Sequence, residues 1–427
     1  MRPSGPLWGT IRPPGSKSIT NRALVCAALA DGGSTLAGAL DSEDTQVMMA
    51  ALERVGIAIE HDPESATIRV MGCGGRVPAP AADLYVGNSG TTVRFLTAML
   101  SLGQGTFRLA GAARMHERPI RDLLDALRQL GGGAVSEQGN GCPPVVVRGH
   151  GLSGGRATVA GDISSQFLSG LLMAAPYARG PVELVVEGKL VSRPYIDMTL
   201  AVMRAFGVGV QAESPSRFQI AAPRCYRAQN YEIEPDASAA SYFFAAAAIT
   251  QGQITVAGLS QASLQGDVAF CQCLRQMGCE VRATADQITV AGRPLHGVAV
   301  DMNAISDTVQ TLAAVALFAD GPTTIRGVGH IRHKETDRIR ALATELRKLG
   351  AAVDECDDGL RITPGPPPRS PVAIATYDDH RMAMSMALAG LAIPGVSILD
   401  PGCTRKTYPR FFEDLESLRH GRLGRGR

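Results

Sequence analysis

At 427 residues the chain is longer than one ordinary hydrophobic core and calls for two or three domains. Hydrophobic residues at 45% and charged residues at 19% exclude a disordered protein. A net charge of +2 and a single Trp argue against a nucleic-acid binder working by a global field or by base stacking.

The nine scattered cysteines contain no C-x-x-C pair, so structural zinc is not expected and free thiols in a reducing cytoplasm are. No apolar run reaches membrane-spanning length, and no signal peptide is expected ahead of the first strand. That strand is Leu7 to Ile11. Pro14-Gly15-Ser16-Lys17-Ser18-Ile19-Thr20-Asn21-Arg22 then runs into an apolar, helix-like stretch from Ala23 to Ala30. Hydroxyls, a lysine and an arginine thus collect where helix N–H groups and the helix dipole favour an anion.

From residue 51 a weak repeat organises the chain. An amphipathic helix ends in Gly and a strand follows, in ALERVGIAIE (51–60), ALRQLGGGAV (126–135), VMRAFGVGVQ (202–211), CLRQMGCEVR (273–282) and ELRKLGAAVD (345–354). The glycines at 56, 131, 207, 278 and 350 recur about every 71–76 residues and fit left-handed helix ends. A β-like run precedes each helix, as Val182 to Val186 and Thr323 to Arg326 do. A sixth copy starts at Val396 and closes with Phe411 to Leu418, but no strand follows it. The economical expectation is that Leu7 to Ile11 completes this sixth unit, so that both termini share one lobe. Solenoid repeats run at about 20–50 residues; six longer units mixing strands and helices fit two α+β lobes of three units better.

Polar clusters recur between a strand and the next helix. Gly87 to Arg94 is a Gly-rich helix entry, and Arg118 stands just before Pro119 at another. Asp162-Ile163-Ser164-Ser165-Gln166 has more hydroxyls than one cap requires. Lys334, Glu335 and Arg338 are expected on adjacent turns of a helix whose other face is Ile339, Leu342, Leu346 and Leu349. Asp378-Asp379-His380-Arg381 reads either as an acid-capped helix start or as a site, and Lys406 taken singly is a surface lysine. Jointly they predict one pocket lined by Lys17, Arg22, Arg118, Lys334, Arg338, Arg381 and Lys406. So many like charges require anionic ligands, and phosphates and carboxylates match arginine's geometry.

With these residues in hand, the chain resembles the 5-enolpyruvylshikimate-3-phosphate synthase (3-phosphoshikimate 1-carboxyvinyltransferase) family of enolpyruvyl transferases, from about Gly9 to about Leu418. The resemblance rests on PGSKSITNRAL, GNSGTTVR, RMHERPI, DISSQFLSGLLMAAP, LVSRPYIDMTL, DASAASYF, DMNAISD, KETDRI, DDHRMAM and CTRKTYP, in that order. It implies an α/β fold of two lobes, each of three βαβαββ-like units, in the inside-out α/β barrel of that family. One lobe would hold 1–16 and 234–427, the other 17–233, with a hinge near 16–17 and 233–235. Residues 419–427 would be a frayed basic tail.

The activity implied is transfer of the carboxyvinyl group of phosphoenolpyruvate to the 5-hydroxyl of shikimate 3-phosphate, with release of phosphate and no cofactor or metal. Carried over residue by residue, shikimate 3-phosphate contacts fall on Lys17, Ser18, Arg22, Ser164, Ser165 and Gln166, and on Ser192, Tyr195, Asp307 and Lys334. Phosphoenolpyruvate contacts fall on Lys17, Gly90 (through its backbone), Arg118, Gln166, Arg338, Arg381 and Lys406. Asp307 and Glu335 match the family's proton-transfer pair, with Lys17 beside them in the catalytic set. A cytoplasmic monomer with no nucleic-acid or membrane partner is expected.

Two positions depart from the family pattern. His330 stands where an asparagine is usual, which alters the expected sugar-phosphate contact, and Phe95 stands where proline is frequent, next to the Gly-rich turn. Gly90 implies sensitivity to glyphosate, a phosphoenolpyruvate-site inhibitor of the family, which Phe95 is expected to soften. The sister transferase acting on UDP-N-acetylglucosamine fits less well. It typically has Lys-Asn where this chain has Lys17-Ser18, and a cysteine in the loop that here reads Arg114 to Arg118.

Overall fold

The repeat seen in the sequence is a six-element unit, and residues 81–150 show it whole. In this computed structural model, which describes residues 1–421, strand Ala81–Tyr85 leads through helix Gly90–Leu100 to a parallel strand, Gln104–Ala110. Helix Arg121–Gln129 and a hairpin of Gly133–Ser136 with Val145–His150 complete it, the hairpin pairing antiparallel to the second strand. A parallel pair needs a crossover helix, whereas the hairpin needs only a turn, which accounts for this order.

The two helices of a unit are distinguished by composition. Every residue of Gly90–Leu100 is buried, as is every residue of the Ala-rich Ala237–Thr250. Helix Arg121–Gln129 buries only Leu123, Leu124, Ala126 and Leu127. A helix apolar all round must be interior, and one with a single apolar stripe lies at the surface. The buried helices accordingly pack on one another, Lys17–Leu29 with Gly90–Leu100 and Ser165–Ala174 in one group. Ala237–Thr250, Val309–Ala316 and His380–Ala389 form the other. The expected α/β repeats and inner-helix, outer-sheet arrangement are therefore present.

The glycines that close the outer helices behave as their spacing predicts. Gly56, Gly131, Gly207, Gly278 and Gly350 have φ of 91°, 83°, 87°, 110° and 95°, a region open to Gly without a Cβ penalty.

The chain divides into two compact units, Gly15–Ile233 and Met1–Pro14 with the chain from Glu234 onward. Each has its own core, around Leu24, Phe95, Phe167 and Val202 in the first and Phe243, Leu312, Leu342 and Phe411 in the second. Both breaks fall between a strand and the following helix. Asn230–Glu232 pairs parallel to Asp31–Ala37 and so supplies the first strand of the unit built on helix Lys17–Leu29. Trp8–Ile11 pairs parallel to Gln253–Ala257 and supplies the first strand of the unit built on helix Ala237–Thr250.

This pairing corrects the expectation that the N-terminal strand completes the sixth unit. Among the described residues the sixth sheet has only Val372–Ile374 and Val396–Ile398, paired parallel, and its last helix, Phe411–Arg419, packs against Trp8–Ile11. The sequence repeat was recognised by helix ends, which mark where a unit closes and carry no sign of which unit lacks an opening strand. The basic tail expected from 419 begins inside a helix at Arg419; residues 422–427 lie outside the described residues.

Candidate active site

In the Gly15–Ile233 unit three inner helices start with a serine cap, at Ser16, Ser89 and Ser164, whose side chains accept from the N–H groups of Ile19, Thr92 and Gln166. A neutral cap satisfies an orphan N–H without cancelling the positive end of the helix. Lys17 follows the first cap, with Nζ 3.5 Å from Asp44.

Arg22, just over one turn further, is buried, with four hydrogen bonds to protein from its five N–H groups. Nε donates to Thr199 Oγ1 at 2.7 Å, Nη1 to the Ser18 carbonyl at 2.9 Å, and Nη2 to Ser169 Oγ and the Tyr195 carbonyl at 3.3 and 3.2 Å. Its guanidinium also lies 5.2 Å from the Phe95 ring centre and 5.9 Å from that of Tyr195. Burial pulls its pKa down to about 10, with Tyr195 opposing the shift. Arg22 thus organises Ser18 and Tyr195, and Phe95, the departure from the family pattern, forms part of its bed.

The second group in this unit gathers around the Gly-rich turn. Arg118 donates to the Asn88 carbonyl at 2.8 Å and to Asn88 Oδ1 at 3.2 Å. A Cβ on Gly90 would overlap Arg118 Nη2 and lie 3.1 Å from Arg94 Nη1, so glycine is what lets the guanidinium approach the backbone. Gln166 is fixed by Arg94 Nη1 at 2.6 Å and reaches Thr91 Oγ1 at 3.4 Å. Arg94 and Phe95 are consecutive on one helix and serve the two groups separately. Ser192 has φ 54° and ψ 44°, a left-handed conformation unusual outside glycine, and its side chain makes no cap bond at the helix it starts.

The unit beginning at Glu234 holds an ion lattice. Arg338 donates to Asp379 Oδ2 at 2.7 Å, to Glu335 Oε2 at 2.8 Å and to Asp307 Oδ1 at 3.3 Å, with its own side chain 1% exposed. Arg381 Nη2 donates to Asp307 Oδ2 at 2.8 Å and Nη1 to the Tyr242 hydroxyl at 3.4 Å. Lys334 lies 3.7 Å from Asp307, and Lys406 lies 3.6 Å from Glu335. Four cations therefore interleave with the three carboxylates of Asp307, Glu335 and Asp379. Lys406 is buried rather than a surface lysine.

Lys334 and Glu335 are not on the helix as expected. They lie between the short helix Gly329–His333 and helix Arg338–Lys348, because Asp337 caps the latter by accepting from Arg340 N at 3.1 Å. The opposite face of Ile339, Leu342, Leu346 and Leu349 is buried as predicted. The acid-capped reading holds at Asp379: it caps helix His380–Ala389, accepting from Arg381 N at 2.9 Å, and it also accepts from Arg338.

The lattice perturbs its neighbours. Burial, then Lys334, drives the His330 pKa down to about 3, so this ring is neutral. Burial and the charge of Asp307 push Asp267 up to about 6, opposed by the hydrogen bond it accepts from the Ser238 hydroxyl. Burial lifts Tyr242 to about 12 despite Arg381. Arg94, Asp379 and Asp44 were given no ligand-binding or catalytic role from the sequence, since each acts on another side chain distant in the chain. Among the described residues no group of three or more His, Cys, Asp and Glu is arranged to hold a metal. Two surface grooves, of about 590 Å³ beside Glu43, Arg54 and Tyr85 and about 350 Å³ beside Gln261, Cys271 and Arg275, take in none of the predicted site residues.

Residues 1–415 match the sequence profile of the family described as EPSP synthase (3-phosphoshikimate 1-carboxyvinyltransferase). A 3-phosphoshikimate 1-carboxyvinyltransferase of Nostoc punctiforme is 51% identical over 417 residues, covering 96% of this chain and 97% of the relative. That of Shewanella denitrificans is 47% identical over 420 residues, 98% of each. The solved structure of EPSP synthase from Acinetobacter baumannii superposes with a TM-score of 0.80 at 27% identity, covering 99% of this chain and 97% of that one.

Proposed function

The chain belongs to the EPSP synthase (3-phosphoshikimate 1-carboxyvinyltransferase) family, and from that premise we propose how its residues divide the work of the family's reaction. The enzyme transfers the carboxyvinyl (enolpyruvyl) group of phosphoenolpyruvate to the 5-hydroxyl of shikimate 3-phosphate and releases phosphate, through a tetrahedral ketal intermediate. This is a step of the shikimate pathway toward chorismate and the aromatic amino acids.

In our reading shikimate 3-phosphate is bound by Lys17, Ser18, Arg22, Ser164, Ser165, Gln166, Ser192, Tyr195, Asp307 and Lys334. Arg22 does so chiefly by fixing Ser18 and Tyr195, since four of its five N–H groups are engaged by protein. Phosphoenolpyruvate is bound by Lys17, the Gly90 backbone, Arg118, Gln166, Arg338, Arg381 and Lys406.

In the addition step Asp307 takes the proton of the 5-hydroxyl as its oxygen bonds to C2 of phosphoenolpyruvate, and Glu335 delivers a proton to the C3 methylene. In the elimination Glu335 takes a proton back from the new methyl group, the double bond re-forms, the C2–O bond to phosphate breaks, and Asp307 passes the hydroxyl proton to the departing phosphate. Arg338, Arg381, Lys406 and Lys17 stabilise charge on the leaving phosphate through preorganised donors. The observation that carries this reading is that one buried guanidinium, Arg338, holds both Asp307 and Glu335 by hydrogen bonds.

The test is phosphate release with both substrates, each substrate alone, and in Asp307→Asn and Glu335→Gln. Release that does not require shikimate 3-phosphate, or wild-type rates in both variants, overturns the assignment. The chain is further read as a cytoplasmic monomer. Its nine unpaired cysteines support a reducing compartment, and among the described residues no helix is long and apolar enough to cross a membrane. Sedimentation at micromolar concentration checks the monomer.

A further inference from the structure

We propose that Glu345 and Tyr377 are positioning residues for this reaction: they clamp the strained turn from which Asp379 orients Arg338 and opens the Arg381 helix. The inference rests on the reading of Arg338 and Arg381 as phosphoenolpyruvate ligands.

Glu345 lies seven residues after Arg338 in helix Arg338–Lys348, two turns along the same face. An acidic residue three positions before Lys348 would ordinarily form an exposed pair. Here its side chain is 0% exposed and its carboxylate turns to a segment distant in the chain. Oε1 accepts from the Tyr377 hydroxyl at 2.7 Å, Oε2 accepts from the Ala375 N–H at 3.1 Å, and Lys348 Nζ donates to both oxygens at 2.8 and 2.7 Å. A buried carboxylate persists only when its hydrogen bonds are satisfied, and two of these bonds are made to the 375–377 segment.

That segment is strained. Tyr377 and Asp378 have φ of 56° and 53° and are the only adjacent non-glycine residues of positive φ among the described residues. Such a pair is held only where its surroundings over-determine it, and it clusters at functional sites. The next residue is Asp379, which accepts from Arg338 Nε at 2.7 Å and Nη2 at 3.3 Å and from Arg381 N at 2.9 Å. One helix therefore grips the turn at two points, through Arg338 to Asp379 and through Glu345 to Ala375 and Tyr377. Burial and Glu345 hold the Tyr377 phenol up at about 12, so it remains a donor at working pH. Without the second grip the turn is released to relax, and the Asp379 carboxylate shifts with it. The guanidinium of Arg338 and the start of the Arg381 helix then lose their fixed relation.

The experiment is steady-state kinetics on the full chain for Tyr377→Phe, Glu345→Gln, the double variant and Arg338→Lys, with thermal melts. Tyr377→Phe removes a single hydroxyl and is expected to fold with a melting temperature near that of wild type. Its kcat/KM for phosphoenolpyruvate should fall about tenfold through both KM and kcat, while the KM for shikimate 3-phosphate stays within about twofold. The double variant should lose less than the two single losses summed, because Tyr377→Phe removes a bond that Glu345→Gln already weakens, while the Glu345 bonds to Ala375 N–H and Lys348 are affected only in Glu345→Gln. Wild-type kinetics in Tyr377→Phe, equal losses for the two substrates, or additive losses in the double variant overturn the proposal. Arg338→Lys separates the two levels. If it raises the phosphoenolpyruvate KM and Tyr377→Phe does not, the positioning role alone is wrong. If Arg338→Lys leaves that KM unchanged, the ligand assignment is wrong and the proposal falls with it.

Discussion

Arg381 donates from Nη2 to Asp307 Oδ2 across 2.8 Å, and both residues are buried. A proposed ligand of phosphoenolpyruvate and the proposed acceptor of the hydroxyl proton are thus one charge pair. Neutralising the carboxylate should have two opposite effects. In Asp307→Asn kcat should fall by about 10²–10⁴, the range of general acid–base catalysis. Product phosphate should bind more tightly, because four cations then face one carboxylate fewer. Phosphate-release rates and the inhibition constant of added phosphate measure both, and a kcat within tenfold of wild type would contradict the role.

Gly90 is tight for a different reason, the approach of Arg118 to the backbone. Gly90→Ala should displace the guanidinium, raise the KM for phosphoenolpyruvate about tenfold and weaken glyphosate inhibition at least as much. The fold should be spared, since the clash is with the end of a flexible side chain. A glyphosate titration competed against phosphoenolpyruvate reads this directly; unchanged inhibition would mean that Arg118 does not bear on that ligand.

Phe95 is buried and its ring centre is 5.2 Å from the Arg22 guanidinium. Phe95→Leu should cost about 1–2 kcal/mol from the smaller side chain and the lost cation–π contact. Loosening Arg22 should also raise the KM for shikimate 3-phosphate more than that for phosphoenolpyruvate. Denaturant unfolding and the two KM values test this, and a larger effect on phosphoenolpyruvate would detach Phe95 from Arg22.

His330 makes a pH prediction. Its pKa falls from 6.5 to about 3 on folding, through burial first and Lys334 second, so the folded state resists protonation. A base with a depressed folded pKa contributes stability above its unfolded value and loses it as pH drops from about 6.5 toward 3. Between pH 7 and pH 5 the loss is about 2 kcal/mol, and His330→Asn should remove that part of the acid sensitivity. Urea unfolding of both proteins at the two pH values decides it, and parallel pH dependences would refute the assignment.

The strand-to-helix junctions were legible in the sequence because helix starts are local. Ser16, Ser89 and Ser164 cap within three residues, and Lys17 directly follows the first of them. The helical reading of Lys334 and Glu335 fails because both residue types favour helix, and the Asp337 cap prevails only once it bonds Arg340 N. Glu345 carried no signal. In sequence it is one more acid on a charged helix, and its partners Ala375 and Tyr377 lie about thirty residues away.

What the sequence determined by itself is the repeat. Left-handed glycines, caps and the contrast between all-apolar and one-sided helices depend on neighbours within a few residues, so they can be read in order along the chain. Which edge the Trp8–Ile11 strand joins was decided only by the tertiary structure, as was the lattice that ties Arg338 to Asp307, Glu335 and Asp379. Strand edges are chemically alike until one is left unpaired, and carboxylates choose among cations only when folding has removed water from between them.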